Sequence, residues 1–310
     1  MIYTVTLNPA LDKTVEIPMF AIDKVNRVAA LRTDPGGKGI NVSKVIAVLG
    51  GQSVAMGILG GNTGNAIAGK LQEMGLCCDF TFVSGETRTN LKIVDPEKGS
   101  FTDVNEPGCA VSQAVLDGLL EKLTAKILPG DIVILSGSLP KGAPVDTYCQ
   151  YVAACKMAGA KVFLDADGGA MQAGLEAKPY LVKPNDEELS RLLGKELTEE
   201  KELLAGARRL LAQGLEKVVV SMGGRGALYV TGEKTVIAKG LKVPVASTVG
   251  AGDSVVAALA LAEEQGLSLE EAAVFSTAVG AANVMCSGTQ APQRSEIERL
   301  YHQVTIREVN

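Results

Sequence analysis

The order of segments predicts an α/β fold: a mostly parallel central sheet with helices on both faces, and a small β-sheet beside it. Three observations predict it. Short runs rich in Val, Ile and Leu alternate with segments of helical period along most of the chain, the pattern of strands buried on both faces. These runs end in small or polar residues, as strands do where they open into ligand-binding loops. Two stretches, 12–33 and 88–104, alternate apolar and polar residues and do not fit the strand–helix order. They are expected to pair as a separate sheet.

The elements follow in order. IYTVTL (2–7) is β-rich and stops at Asn8-Pro9, which marks a strand leading into a turn. TVEIPMF and KVNRVAALRT, within 14–33, supply the first alternating piece. In GGKGINVSKVIAVLGG, Val42, Val45, Ile46 and Leu49 fall on one helical face between bounding glycines. SVAMGIL reads as a strand and 63–75 as a helix ending at Gly75. TNLKIVD and SFTDV, joined by PEKG, read as a hairpin. A helix over 112–127 precedes the apolar strands DIVILSG, AKVFLDAD and PYLVKPN, with helices near 144–158, 186–193 and 199–213. KVVVSMGGRGALYV is a strand, a glycine turn and a strand; apolar helices over 252–265 and 269–286 and a terminal helix complete the chain. The expected division is an α/β body of 1–11, 34–87 and 105–310, with the small sheet from 12–33 and 88–104.

Composition excludes several functions. The chain has 310 residues, is 46 % hydrophobic and carries a net charge of −5. It is long enough to bury a large core, and it lacks the basic surplus that nucleic acid requires. No basic leader or long uncharged apolar run is evident, so the sequence predicts a cytoplasmic protein without a membrane partner. The six cysteines form no C-x-x-C pair or zinc spacing, and read as reduced thiols. The single histidine, His302, lies near the C-terminus. A Ser-His-Asp triad or a multi-histidine metal site is therefore not expected.

The glycine turns point to a phosphate ligand, although the common phosphate motifs fail. In the P-loop spacing before Gly37-Lys38, Arg32 stands where the first glycine belongs, and Val255 breaks G-x-G-x-x-G after Gly250. STVGAGDS places Gly250, Ala251 and Gly252 before Asp253 at the start of an apolar helix. Helix-terminal amides can stabilise a transferring phosphoryl group there, and an adjacent carboxylate can take a proton from the attacking hydroxyl. The same residues also suit an ordinary acidic first turn. DPGGKGIN offers Gly37, Lys38 and Asn41 to a polyhydroxyl or anionic ligand, or is a plain helix start. In KPNDEEL, Asn185 and Glu188 form a capping box by their spacing and could also hold a hydrated Mg²⁺. SMGGRGAL is a hairpin or a loop over a flat nucleotide. Arg88 in GETRTN is the best single candidate for a phosphate clamp, or is a solvated strand arginine.

GGKGIN, SGSLP, KPNDEE, SMGGRGAL and STVGAGDS occur here in the order seen in the PfkB-type, ribokinase-like carbohydrate kinases, which this chain resembles over nearly its whole length. TLNPALD, VNRV and GETRTN narrow the resemblance to the sugar-phosphate branch of 1-phosphofructokinases, tagatose-6-phosphate kinases and minor 6-phosphofructokinases. The resemblance implies a three-layer sandwich with a small β lid, often used for dimerisation. It implies Asp253 as base and an anion hole of Gly250, Ala251 and Gly252. Asp12, Gly37, Lys38 and Asn41 would hold the sugar; Arg88, with Asn90, Arg27 or Ser138, would hold its phosphate. Asn185 and Glu188 correspond to a motif linked to Mg²⁺, and Lys183, Ser221, Gly223, Gly226 and Asn283 would surround ATP. The implied reaction is ATP-dependent phosphorylation of a ketohexose phosphate, fructose 1-phosphate first, with tagatose 6-phosphate and fructose 6-phosphate as rivals. A kinase of unphosphorylated sugars or nucleosides and a non-catalytic sugar-phosphate sensor remain as alternatives.

Overall fold

The computed structural model describes residues 1–309. Its main sheet has ten strands: β1 (Ile2–Thr6), β4 (Ser53–Gly60), β5 (Cys77–Val83), β8 (Ile132–Ser136), β9 (Lys161–Asp165), β10 (Leu181–Val182), β11 (Lys217–Ser221), β12 (Gly226–Thr231), β13 (Thr235–Lys239) and β14 (Ile306–Glu308). Their order is β14-β13-β12-β11-β10-β9-β8-β1-β4-β5. Pairing is parallel from β5 through β11, and antiparallel from β11 to β14.

The apolar runs predicted as strands are buried on both faces because alternate side chains enter opposite layers. On β8, Val133 and Leu135 pack into one layer, while Ile132 and Ile134 pack into the other. The first layer is built on α3 (Gln113–Thr124), α4 (Thr147–Met157), α5 (Gly168–Glu176), α6 (Asp186–Leu193) and α7 (Glu200–Leu211). The second holds α1 (Lys38–Val48), α8 (Ala251–Glu264), α9 (Leu269–Asn283) and α10 (Arg294–Tyr301). α2 (Gly61–Glu73) covers the β4–β5 edge through Ile67 and Leu71. Each fully buried Ile or Leu contributes roughly 1.5–3 kcal/mol.

The segments that broke the alternation do form a separate sheet: β2 (Ala10–Glu16), β3 (Ala30–Gly36), β6 (Arg88–Asp95) and β7 (Ser100–Asn105), in the order β3-β2-β6-β7. Its central β2–β6 pair is parallel, and its two outer pairs are antiparallel. The KVNRV stretch is the connection between β2 and β3 rather than a strand. Four elements were not anticipated as such: β5, β13, β14 and α5. PYLVKPN contains only a two-residue strand, since Pro184 has no N–H to continue the ladder. Among the described residues, no helix is long and apolar enough to cross a membrane.

Candidate active site

The C-terminal ends of the parallel strands and one face of the small sheet enclose a cavity of about 500 Å³. It lies where an open α/β sheet places its ligand. Asp12, Gly37, Lys38, Asn41, Arg88, Asn90, Ser138, Lys183, Asn185, Glu188, Ser221, Gly250, Gly252 and Asp253 all line it. These residues come from across the sequence and meet only in the folded chain.

Asp253 lies in the first turn of α8, whose N-cap Gly250 has φ 84°. A left-handed N-cap suits glycine and turns the chain sharply into the helix. The Asp253 carboxylate is 7 % exposed and accepts a hydrogen bond of 2.8 Å from Asn41 Nδ2 on α1. Burial, and then the negative charge of Asp165, push its pKa up to about 6, against the opposing pull of Lys38, Asn41 and Lys183. Such a group is ionised at neutral pH and close enough to it to accept a proton. The first-turn amides of a helix have no intrahelical partners. Ala251 N–H turns back to the Thr248 carbonyl at 3.4 Å, and Ala251 is absent from the cavity wall. The amides of Gly252 and Asp253 make no backbone hydrogen bond. The Lys183 ammonium closes on the same turn: a Cβ on Gly252 would lie 3.1 Å from Lys183 Nζ.

Asp165, at the end of β9, is the principal residue that the sequence did not single out, although DAD marked a strand end. Its Oδ1 accepts from Lys38 Nζ at 3.3 Å and lies 3.8 Å from Lys183 Nζ. Burial alone would raise its carboxyl, but Lys183 and Lys38 more than offset that and hold it below the ordinary value. Lys38 also lies 3.5 Å from Asp167. Burial would strip its proton, yet Asp165, Asp167 and Asp253 raise its pKa. Two buried carboxylates in one cavity therefore titrate in opposite directions. Asp165 is neutralised by two lysines, whereas Asp253 has an amide partner and a negative neighbour.

The small sheet supplies the other wall. Arg88 begins β6 and donates to the carbonyls of Asn8 (2.9 Å) and Glu106 (3.3 Å), while its Nε has no partner. Its pKa is lowered by burial, against a smaller pull from Asp12. Asp12 accepts from Asn90 at 3.1 Å, and burial raises its carboxyl. Among the described residues, eight buried side-chain atoms lack partners, and those of Thr6, Asn41, Arg88, Asn90 and Thr289 are on cavity-lining residues. Unpaired buried polar atoms are costly, so their concentration here marks a cavity shaped for a polar ligand.

The capping box expected at α6 is present: Asn185 Oδ1 accepts from Glu188 N–H at 2.7 Å and Glu188 Oε2 from Asn185 N–H at 2.8 Å. Burial raises the Glu188 carboxyl. Among the described residues no cluster of three or more His, Cys, Asp or Glu side chains is arranged to hold a metal directly.

Four other predicted residues are outside the cavity wall. Arg27 is exposed on the β2–β3 connection. Gly223 begins a 3-10 turn and Gly226 begins β12. Gly226 has a packing reason of its own: φ is 105° and a Cβ would meet the Ala238 carbonyl at 2.0 Å. Asn283 is buried behind Gly250, donating to the Gln290 carbonyl at 3.1 Å.

Residues 5–296 match the family model described as pfkB family carbohydrate kinase. The 1-phosphofructokinase of Rhodobacter capsulatus is 41 % identical over 307 residues, covering 99 % of this chain and 97 % of that protein. The 1-phosphofructokinase of Bacillus subtilis is 41 % identical over 272 residues, with 88 % of each chain covered. The crystal structure of phosphofructokinase-2 from Escherichia coli in complex with fructose-6-phosphate superposes with a TM-score of 0.90 at 33 % identity, covering 97 % of this chain and 98 % of that one.

Proposed function

The chain belongs to the pfkB family of carbohydrate kinases, and from that premise we propose that it transfers the terminal phosphoryl group of ATP to a ketohexose phosphate, fructose 1-phosphate first, giving the bisphosphate. The observation that carries this reading is Arg88. Its guanidinium shares the cavity with Asp253 and is bonded only to two carbonyls, without a carboxylate partner. A second anionic group on the acceptor would complete it; a neutral sugar or nucleoside would leave it unpaired.

In this mechanism Asp12, Asn90 and Asn41 orient the sugar hydroxyls, and Arg88 fixes the existing phosphate. Asn41 also holds the Asp253 carboxylate towards the attacking hydroxyl, which Asp253 deprotonates as the bond to phosphorus forms. The amides of Gly252 and Asp253, the α8 dipole and Lys183 stabilise the charge on the transferring group. The donor set fits a hydrated Mg²⁺. Asn185 Oδ1 and Glu188 Oε2 are engaged in the cap, which leaves the second Glu188 carboxylate oxygen to act through water. Mg²⁺ bound with ATP would supply neutralising charge at the phosphates. The small sheet acts as a lid that excludes water. Its exposed apolar side chains, Leu31, Phe101 and Val104, suit a dimer of two copies paired through this sheet.

Release of ADP, coupled to a colour reaction and measured over a panel of ketose phosphates, free ketoses and nucleosides, tests the proposal. Fructose 1-phosphate should give the highest kcat/KM. Equal turnover of free fructose or of a nucleoside would overturn the substrate class, and no turnover of any of them would favour the sensor reading.

A further inference from the structure

Lys44 is a buried cation that the proposed reaction does not use. It lies on α1, one turn beyond Asn41, and is 4 % exposed. Its Nζ donates to the carbonyl of Pro35 at 2.9 Å and to that of Thr289 at 2.8 Å. The charged groups facing it are the carboxylates of Asp34, Asp12 and Asp253 and the guanidinium of Arg32, yet both of its bonded partners are neutral. Burial therefore dominates, and the ammonium pKa is lowered to about 8. A buried cation without a bonded counter-ion is strongly disfavoured, and an apolar side chain of the same length would fill the space without that cost.

The two carbonyls belong to different segments, one in a strand and one in a loop. Pro35 lies near the end of β3, just before the Gly36–Lys38 turn on the sugar side. Thr289 lies between α9 and α10, where Gly288 and Thr289 both line the cavity. Two other side chains grip the same segment: Arg32 donates to the Ser287 carbonyl at 3.0 Å, and Asn283 to the Gln290 carbonyl at 3.1 Å. The segment in turn backs the glycine turn of α8. The amides of Ala246 and Ser247 donate to the Val284 carbonyl at 2.8 and 3.2 Å, and Asn283 lies against Gly250. Lys44 is thus the joint between the strand end on the acceptor side and the segment behind the phosphoryl-binding turn, on the helix whose Asn41 holds Asp253.

Resting on the kinase reading above, we propose that Lys44 is a positioning residue whose ammonium sets the separation between the turn that holds the acceptor and the turn that holds the transferring phosphoryl group. It touches neither substrate. Its loss misaligns the reacting atoms more than it weakens the binding of either substrate, and a displacement of about 1 Å costs on the order of 100-fold in rate.

The test compares Lys44→Met, of similar length without donors, with Lys44→Arg, which retains charge and N–H groups, in the kinase assay beside the wild type. In folded Lys44→Met, verified by circular dichroism and melting, kcat should fall at least about fivefold while both KM values stay within about threefold. Lys44→Arg should lie closer to wild type than Lys44→Met does. A smaller fall, a loss confined to KM, or equal damage in both variants would overturn the proposal. Should Lys44→Met not fold, Lys44→Gln, which keeps N–H donors on a shorter side chain, carries the test: kcat should fall at least about fivefold with both KM values within about threefold, and a smaller fall would overturn the proposal. If the wild type phosphorylates no ketohexose phosphate, the kinase reading fails separately. Amide hydrogen exchange then tests the joint, since Lys44→Met should speed exchange in 284–290 at least about tenfold, and unchanged exchange would refute it.

Discussion

The two walls of the cavity are built differently. On the main-sheet side, strands such as β1 and β8 are buried along their whole length, and Asp253, Asp165 and Lys183 are 7 %, 3 % and 4 % exposed. On the small-sheet side, β7 is exposed throughout and β6 is mostly half-buried. The first wall places charges where a low dielectric magnifies each interaction. The second presents polar groups, Asp12, Arg88 and Asn90, that are only half-buried. Under the proposed function, chemistry falls to the first and recognition to the second, and substitutions should separate the two.

The largest expected effect is Asp253→Asn on the buried wall. Removing the proposed base should lower kcat by roughly 100- to 10,000-fold, while calorimetry should show both substrates still binding. Near-normal turnover would erase the distinction between the walls. Next is Asp165→Asn, which frees Lys38 and Lys183 and removes the negative neighbour of Asp253. We expect kcat lower by on the order of 100-fold, and the acid limb of the pH profile, set in the wild type by a group at about 6, displaced to lower pH. A limb that stays in place would show that the two carboxylates do not communicate. On the open wall, Arg88→Ala should raise KM for the sugar phosphate roughly 10- to 100-fold with kcat little changed; the reverse split would move Arg88 into the chemistry.

A smaller effect sharpens the comparison through stability. Asp253 has a folded pKa of about 6 against an ordinary 3.8. The folded state therefore binds the proton more tightly than the unfolded chain, and the cost of the buried charge is full above the folded value. Asp253→Asn should stabilise the protein at neutral pH by roughly 2–3 kcal/mol. That gain should shrink as pH falls through about 6 and be gone below 3.8, as denaturant melts at several pH values would reveal. The smallest effect is Asn185→Ala, which opens the α6 capping box and should cost about 1 kcal/mol in the same melts.

Most of the fold was legible because buried parallel strands write themselves as unbroken apolar runs. What was missed has particular causes. β5 is an edge strand whose Cys77, Cys78 and Phe82 are exposed, so its pattern has no clean buried face. α5 opens on Gly168-Gly169 and contains Gly174, which reads as loop; Gly174 is required because a Cβ there would meet Leu164 Cδ2 at 2.5 Å. β13 lies only three residues beyond β12 and looked like the tail of the hairpin. For the site, glycine turns and first-turn acids could be read locally. Asp165 could not, because its role comes from Lys38, 127 positions away, and from Lys183 on another strand end. Lys44 carries no motif; its importance arises from two carbonyls that only the fold brings together.

Nine of the 14 residues of α8 are buried, almost all of them Ala, Val or Leu. Asp253, the proposed proton acceptor, therefore stands at the tip of a rod whose depth is fixed by small side chains wedged against the sheet. Enlarging one of them, such as Ala258→Leu, would slide or tilt that rod by a fraction of an ångström. The enzyme would then fail in aim before it failed in folding. Substitutions along the exposed β7 of the opposite wall carry no such penalty, because they do not reach that packing.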